Sequence, residues 1–563
     1  MNYKPEKNKD KNILKVQERG QSVVRNPFLN KGTAFTKEDR EKFFLDGILP
    51  PHISTLTEQL ERTWESLKAK PDSIEKYIYL RSLQDRNETL YYALLVRHVR
   101  ALMPVIYTPT VGEAVQKYGH IYRIGRGLFI TPENVHKMDE LVKALPSRDI
   151  DIMVVTDNEG ILGIGDQGVG GMGIPIGKLA IYSLAAGIHP SATLPVSLDV
   201  GTDNQELLDD PMYLGRREKR LRGEAYESFI QKFVEGIHRN FPHAVLQWED
   251  FSKQNAYTIN ERYKKVHPSF NDDIEGTGAV ALAGAMRAVQ IKGSSLSEQS
   301  FLIQGAGAAG IGIATAIKSG LLREGLTEEK ALRRIVLTDS KGILYKDRSG
   351  LDEYKKHFAR DRQDFPGLDD KAPLSEIVKF ARITVFIGVS AQKGSITPEI
   401  VEIMSAHTDR PVIFPLSNPT SLSEADPREL LKMTNGKAIV AAGSPFDDVE
   451  VNGKIYTIPQ GNNAFIFPGA GLGAILSKAR EIRPSLLAAA AFALADYVKE
   501  IAQGSEMIYP PIENIREAAL RVAKAVFETA LAEGLSPLPS GAVFDALAHD
   551  YVWEPVYPEY IAE

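Results

Sequence analysis

Two acidic clusters, Glu249-Asp250-Phe251 and Asn271-Asp272-Asp273, lie about twenty residues apart, and the second precedes the glycine-rich run Gly305-Ala306-Gly307-Ala308-Ala309-Gly310. Carboxylates that hold a hard divalent cation beside a dinucleotide pocket suit the oxidation of a hydroxy acid with loss of carbon dioxide. Three carboxylates that leave room for waters and substrate oxygens describe Mg²⁺ or Mn²⁺ better than zinc. Glu249 and Asp250 end an apolar run. Neighbours in a regular strand point to opposite faces, so both serve one ion only where the strand gives way to a turn. The alternative is that all four acids, Glu249, Asp250, Asp272 and Asp273, are helix N-caps in two unrelated turns.

The glycines Gly305, Gly307 and Gly310 follow an apolar strand, 300–304, and open a helix, 311–319. A Cβ there would stop the backbone from approaching a pyrophosphate, whose charge the helix N-terminus stabilises. Asp339, 34 residues after Gly305, closes the next strand, where an acid bonds the ribose. An acid favours a free 2′-hydroxyl, whereas Ser340, Lys341 and Lys355 nearby suit a 2′-phosphate; NAD and NADP both remain open.

Lys178 follows Pro175 in what reads as the first turn of a helix. The helix dipole disfavours positive charge there, and burial near a cation would add to this, which suits a general base. The bland reading is a lysine with its head in solvent. Tyr107, in Tyr107-Thr108-Pro109, is ambiguous in isolation, since most tyrosines near a proline turn are packing residues. Asn418 in Ser417-Asn418-Pro419-Thr420 and Asn463 in Gly461-Asn462-Asn463 are either turn residues or donors to a substrate carboxylate.

The elements that must position these groups are legible in outline. A helical pattern with proline breaks runs from about 36 to 116. From about 151, β-branched runs alternate with glycine-rich turns and longer helical stretches, which predicts a parallel sheet covered by helices. A second α/β unit follows Asn271, with several strands ending in Gly, Asn or Asp, at the edge where open sheets bind ligands. Helices then resume over 472–503 and 512–532, before an aromatic tail. The fold class is therefore α/β: a helical N-terminal domain followed by two parallel-sheet α/β domains, the second a Rossmann-type dinucleotide-binding domain.

At 563 residues the chain exceeds one hydrophobic core. With 67 basic against 73 acidic residues, the net charge of −6 gives no electrostatic case for nucleic acid. The absence of cysteine removes thiolate nucleophiles and Cys-ligated zinc. No stretch approaches the roughly eighteen apolar residues of a membrane span, and the first twenty residues lack the apolar core of a leader peptide. The expectation is a cytoplasmic protein with no membrane or nucleic-acid partner.

Taken together, the segments 107–112, 165–178, 249–251, 270–277, 417–420 and 461–463 resemble the malic enzymes of the large-subunit type, in order and over nearly the whole chain. The resemblance implies oxidative decarboxylation of (S)-malate to pyruvate and carbon dioxide, with reduction of NAD(P)⁺. It implies Glu249, Asp250 and Asp273 as ligands of Mn²⁺ or Mg²⁺, with Asp272 as an auxiliary acid. Lys178 then takes the hydroxyl proton and Tyr107 protonates C3. Gly305, Gly307, Gly310, Asp339, Asp273 and Asn418 contact the cofactor, and Asn418, Asn463 and Lys178 contact the substrate. The implied domains are 1–125 (helical), 126–271 (malate and metal, completed by 462–535), 272–461 (Rossmann) and 536–563 (tail). A homodimer or homotetramer is implied, with Trp553, Tyr557 and Tyr560 of the tail available to dock on a neighbouring subunit.

One departure stands out: where many members carry arginine before Ile-Leu-Gly, this chain reads Glu159-Gly160-Ile161-Leu162-Gly163. That arginine ordinarily grips a malate carboxylate. Glycine here also resembles some bacterial malic enzymes and the malolactic enzymes, close relatives that convert malate to lactate with tightly held NAD, whereas the run from Gly165 to Gly173 resembles the malic-enzyme form. A catalytically idle dinucleotide-binding regulator is the remaining alternative, opposed by the presence of Tyr107, Lys178 and all three presumed ligands.

Overall fold

The β-branched runs form mainly parallel sheets in a computed structural model that describes residues 3–8 and 11–563. Of two compact units, the first comprises residues 1–251, 266–268 and 541–563, and the second 252–265 and 269–540. The reading of the first twenty residues falls partly outside the described residues.

In the first unit, helices Leu56–Lys68, Ser73–Gln84 and Glu88–Arg97 start at Thr55, Asp72 and Asn87, whose side chains each accept a backbone N–H of the first turn. Helices Val99–Ile106 and Thr110–Gln116 follow. Strands β1 (Leu128–Ile130), β2 (Ile152–Thr156), β3 (Thr193–Leu198) and β4 (Val245–Glu249) lie in the order β1-β3-β2-β4, all parallel. Every residue of β2 and β4 is buried, as a sheet covered on both faces requires. The chain adds β3 to one side of β2 and β4 to the other. A crevice therefore opens between the carboxyl ends of β2 and β4, where Thr156 pairs with Glu249.

Helix α1 (Gly173–Ala186) is buried at every residue. With its lead-in it forms the apolar stretch Gly168–Ala186, long enough to cross a membrane and 94% buried inside the protein. The sequence reading had no such stretch; burial identifies it as a core helix. The aromatic tail packs on its own unit. Trp553 packs edge-on against Tyr92 and His189, the Tyr557 hydroxyl bonds Asn87 and Gln59, and Tyr560 is buried in a cluster with Phe35 and Phe43.

In the second unit, α2 (Thr277–Lys292) precedes β5 (Phe301–Gln304), and α3 (Ala308–Arg323) leads on to β6 (Ile335–Asp339) and β7 (Gly342–Ile343). Strands β8 (Val385–Gly388), β9 (Val412–Pro415) and β10 (Ile439–Val440) complete a sheet of order β7-β6-β5-β8-β9-β10. All pairings are parallel except β6 with β7. This is the Rossmann arrangement, with its switch point between β5 and β8. Helices α4 (Phe467–Ser477), α5 (Pro484–Ala502) and α6 (Ile515–Ala532) belong to this unit, with α5 packed on α2 and α6 on α4. The compact units thus group 462–535 with the Rossmann sheet, a different cut from the four segments read in the sequence.

His267, 1% exposed, lies against His238 with Nδ1 to Nδ1 at 3.3 Å. Burial first, and the neighbouring His238 second, lower its pKa from 6.5 to about 4. A folded-state value below the unfolded one means that stability is complete above pH 6.5 and is lost as pH falls toward 4, by about 3 kcal/mol in all. The urea midpoint should fall over this window in the native protein and markedly less in His267→Gln. Equal slopes in the two proteins would contradict this assignment.

Candidate active site

β4 ends at Glu249, and Asp250 turns into the left-handed region with φ 56°. For a residue with a Cβ this conformation costs roughly 1–2 kcal/mol, so the turn must be held from outside. The backbone N–H of Gly160 donates to the Asp250 carbonyl at 2.7 Å. A Cβ on Gly160 would lie 2.4 Å from the Phe251 carbonyl oxygen. Glycine is thus the residue that lets the turn after β2 clasp the turn after β4. The adjoining Glu159 pairs with Arg222 at 2.6 Å, and Arg222 also pairs with Asp203.

Lys178 is the sixth residue of α1, since a tight turn at 168–172 leads into a helix that begins at Gly173. It therefore sits beyond the first turn, and the dipole argument made from sequence loses most of its force. What remains is burial: Lys178 Nζ lies 3.0 Å from Glu249 Oε1, with both side chains 3% exposed. The lysine head is not in solvent. The other oxygen of Glu249 accepts from Gln247 Nε2 at 2.7 Å, and Gln247 Oε1 accepts from the Tyr182 hydroxyl at 2.5 Å. Tyr107, half-buried, ends the helix Val99–Ile106 with its ring centroid 5.5 Å from Lys178 Nζ.

The loop into α1 is fixed by charge. Arg220 donates to both oxygens of Asp166 at 2.8 and 2.7 Å, and to the Asp157 carbonyl at 2.9 Å. Burial pushes the Asp157 carboxyl up to about 6, against the pull of Arg220 and of the Tyr226 hydroxyl at 2.5 Å.

In the second unit, Asp272 is fully buried at the head of a π-turn, Asp272–Gly276, with Asp273 half-buried beside it. Wide turns of this kind recur at functional sites. Asn463 donates to Asp272 Oδ2 at 3.1 Å and to Thr277 Oγ1 at 3.0 Å. The capping alternative fails at both acidic clusters. Ser252 occupies the cap position before helix Lys253–Tyr263, Asn271 caps the π-turn through Ile274 N–H, and Gly276 precedes α2.

At the switch point, Gly305 has φ 113°, and a Cβ on it would lie 2.4 Å from the Val389 carbonyl oxygen; one on Gly310 would lie 1.8 Å from the Gly305 carbonyl oxygen. The outer glycines pack backbone on backbone. Nothing lies within 4 Å of a Cβ on Gly307, which faces a cleft of about 1080 Å³. Asp339, Lys253, Lys341 and Lys355 line this cleft, and Arg348 holds Asp339 at 2.8 and 2.9 Å. Asn418 Oδ1 accepts from the Ser444 hydroxyl. The fully buried Glu424 ties the loops after β8 and β9 by accepting from Ser390 N–H at 2.7 Å and from the Ser417 hydroxyl at 2.6 Å.

Of the sequence candidates, Tyr107, Lys178, Glu249 and Asp250 fall in the first unit, with Lys178, Glu249 and Tyr107 gathered together. Asp272 and Asn463 meet in the second unit, where Asp339, Gly305 and Gly307 share the cleft. Gln247, Tyr182, Arg348 and Glu424 were missed. For two of them the signal was present: a glutamine inside an apolar strand, and a tyrosine one helical turn beyond Lys178.

The sequence matches "Malic enzyme, N-terminal domain" over residues 84–264 and "Malic enzyme, NAD binding domain" over residues 274–531. It is 44% identical to a NAD-dependent malic enzyme of Pseudomonas aeruginosa, covering 98% of each chain. It is 41% identical to a NAD-dependent malic enzyme of Aliivibrio fischeri, covering 98% of this chain and 99% of the relative. Among solved structures, the fold resembles Entamoeba histolytica malic enzyme, with a TM-score of 0.56, 21% identity and coverage of 90% of each chain.

At position 160 a side chain would press on the Phe251 backbone. Gly160→Ala should cost about 1–3 kcal/mol of stability or shift the Asp250 turn, and Gly160→Arg should lower activity at least tenfold rather than improve it. Thermal melts and steady-state kinetics check this. An alanine variant with native melting and native kcat/KM would contradict it.

Proposed function

The chain belongs to the malic enzyme family, and from that premise we propose that it oxidatively decarboxylates (S)-malate to pyruvate and carbon dioxide while reducing NAD. The observation that carries this reading is the buried Lys178–Glu249 pair, set beside Tyr107 at the carboxyl end of β4. An ion pair inside a core is a poor way to gain stability, so its retention speaks for chemistry.

The donor set suits a hard cation. Glu249 and Asp250 are buried carboxylates on consecutive residues, Asp250 in a strained turn, and the chain has no cysteine. We assign Mn²⁺ or Mg²⁺ to Glu249, Asp250 and Asp273. When bound, the cation supplies Lewis acidity at the C2 oxygen of malate and the nicotinamide supplies a hydride acceptor.

The chain's own residues do the rest. Lys178, acting as the neutral amine, accepts the proton of the C2 hydroxyl and is left as the ammonium, and the Tyr107 hydroxyl gives a proton to C3 after carbon dioxide leaves. Asp272, oriented by the Asn463 amide, is the auxiliary acid. Asn418 and Asn463 contact substrate and nicotinamide. Gly305, Gly307 and Gly310 admit the pyrophosphate to the start of α3. Asp339 accepts from the ribose 2′-hydroxyl with Arg348 holding its plane, which favours NAD, as the names of the relatives suggest. Lys253, Lys341 and Lys355 in the same cleft favour some use of NADP as well. A homodimer or homotetramer in the cytoplasm completes the proposal.

Malate, Mn²⁺ and NAD should yield pyruvate and reduced nicotinamide in equal amounts, more slowly with NADP. Lys178→Ala should lower kcat by about 10²–10⁴-fold. Lactate formed without reduced cofactor would replace this reading with a malolactic one, and unchanged turnover in Lys178→Ala would overturn the assignment of the base.

A further inference from the structure

Lys178 and Tyr182 are four residues apart on α1, and Gln247 and Glu249 are two apart on β4. Four helical residues rise roughly 6 Å and two strand residues roughly 6.6 Å, and each pair points from one face of its element. The two pairs therefore meet as matched rungs: Lys178 on Glu249 at 3.0 Å, and Tyr182 on Gln247 at 2.5 Å. The rungs are cross-linked by Gln247 Nε2 on Glu249 Oε2 at 2.7 Å. Exposure is 2% at Lys178, 3% at Glu249, and nil at Tyr182 and Gln247.

The direction of each bond follows from the groups. Glu249, as a carboxylate, only accepts, so Gln247 must present its amide nitrogen to it. The amide oxygen then faces Tyr182, whose hydroxyl donates. The carboxylate thus decides which way the amide lies, the tyrosine hydroxyl holds the amide in that orientation, and the amide fixes the plane of the carboxylate. One oxygen of Glu249 is turned to Lys178 and the other is held from behind.

We propose that Gln247 and Tyr182 are positioning residues that orient the Glu249 carboxylate for the divalent cation, with Tyr182 acting only through Gln247. This rests on the assignment of Glu249 as a metal ligand made above. Groups behind a ligand commonly contribute about 10–100-fold in metal affinity.

The test is direct Mn²⁺ binding to the full-length protein, read by electron paramagnetic resonance of the free ion, with NAD binding and thermal melting measured alongside. Gln247→Met should raise the Mn²⁺ Kd about tenfold or more. Tyr182→Phe should raise it several-fold, and the double variant should bind no more weakly than Gln247→Met alone; NAD affinity should stay native in all three. If Gln247→Met does not fold, Tyr182→Phe, which removes only one oxygen, decides the matter by itself. Multiplying effects in the double variant would overturn the relay, as would native Mn²⁺ affinity in both single variants while Glu249→Gln loses the ion. Native Mn²⁺ affinity in Glu249→Gln would instead overturn the metal assignment, and the relay with it.

Discussion

The buried contact between Lys178 and Glu249 is the constraint around which the first unit is arranged. Removing an ammonium and a carboxylate from water costs several kcal/mol per ion, and their attraction repays that only when the remaining hydrogen-bonding capacity is met. Gln247 and Tyr182 meet it on the carboxylate side from a strand and a helix that are otherwise apolar. The wholly buried α1 and β4 are what hold two charges at this depth. Apolar residues of similar volume would serve the fold as well, so the polar set is retained for what it does.

The same economy appears at the ends of the strands. In each unit the chain reverses its order of strand addition at one point, and a glycine there brings two turns into backbone contact. Gly160 meets the turn after β4, and Gly305 meets the turn after β8. In the first unit the contact holds Asp250 in a strained conformation. In the second it brings the loops after β5 and β8 together, and Glu424 ties the loop after β8 to the one after β9 through their N–H and hydroxyl groups. Glycine at position 160 thus has a structural reason of its own.

Much of this was legible in the sequence. The glycine fingerprint, the strands ending in polar residues and the two acidic clusters are local patterns, and the structure places each at the carboxyl end of a strand or at the head of a turn. Three kinds of feature were not legible. Lys178 lies deeper in its helix than Pro175 suggested, because the glycine-rich lead-in forms a separate tight turn whose end no residue type marks. Gln247 and Tyr182 acquire meaning only when a helix and a strand distant in sequence are laid together. The contacts of the tail aromatics within their own unit, such as Tyr560 among Phe35 and Phe43, join residues hundreds of positions apart and leave no local pattern.

The central claim is that the carboxylates at the end of β4 and the lysine facing them form the floor of a metal-dependent site. Anomalous X-ray scattering from crystals grown with Mn²⁺, NAD and a non-reactive malate analogue tests it most directly. The account predicts one strong manganese peak in coordination contact with the Glu249 and Asp250 carboxylates, with the C2 oxygen of the analogue between the ion and Lys178 Nζ. A manganese peak elsewhere, with Glu249 still bonded to Lys178 and the analogue out of reach of both, would contradict it.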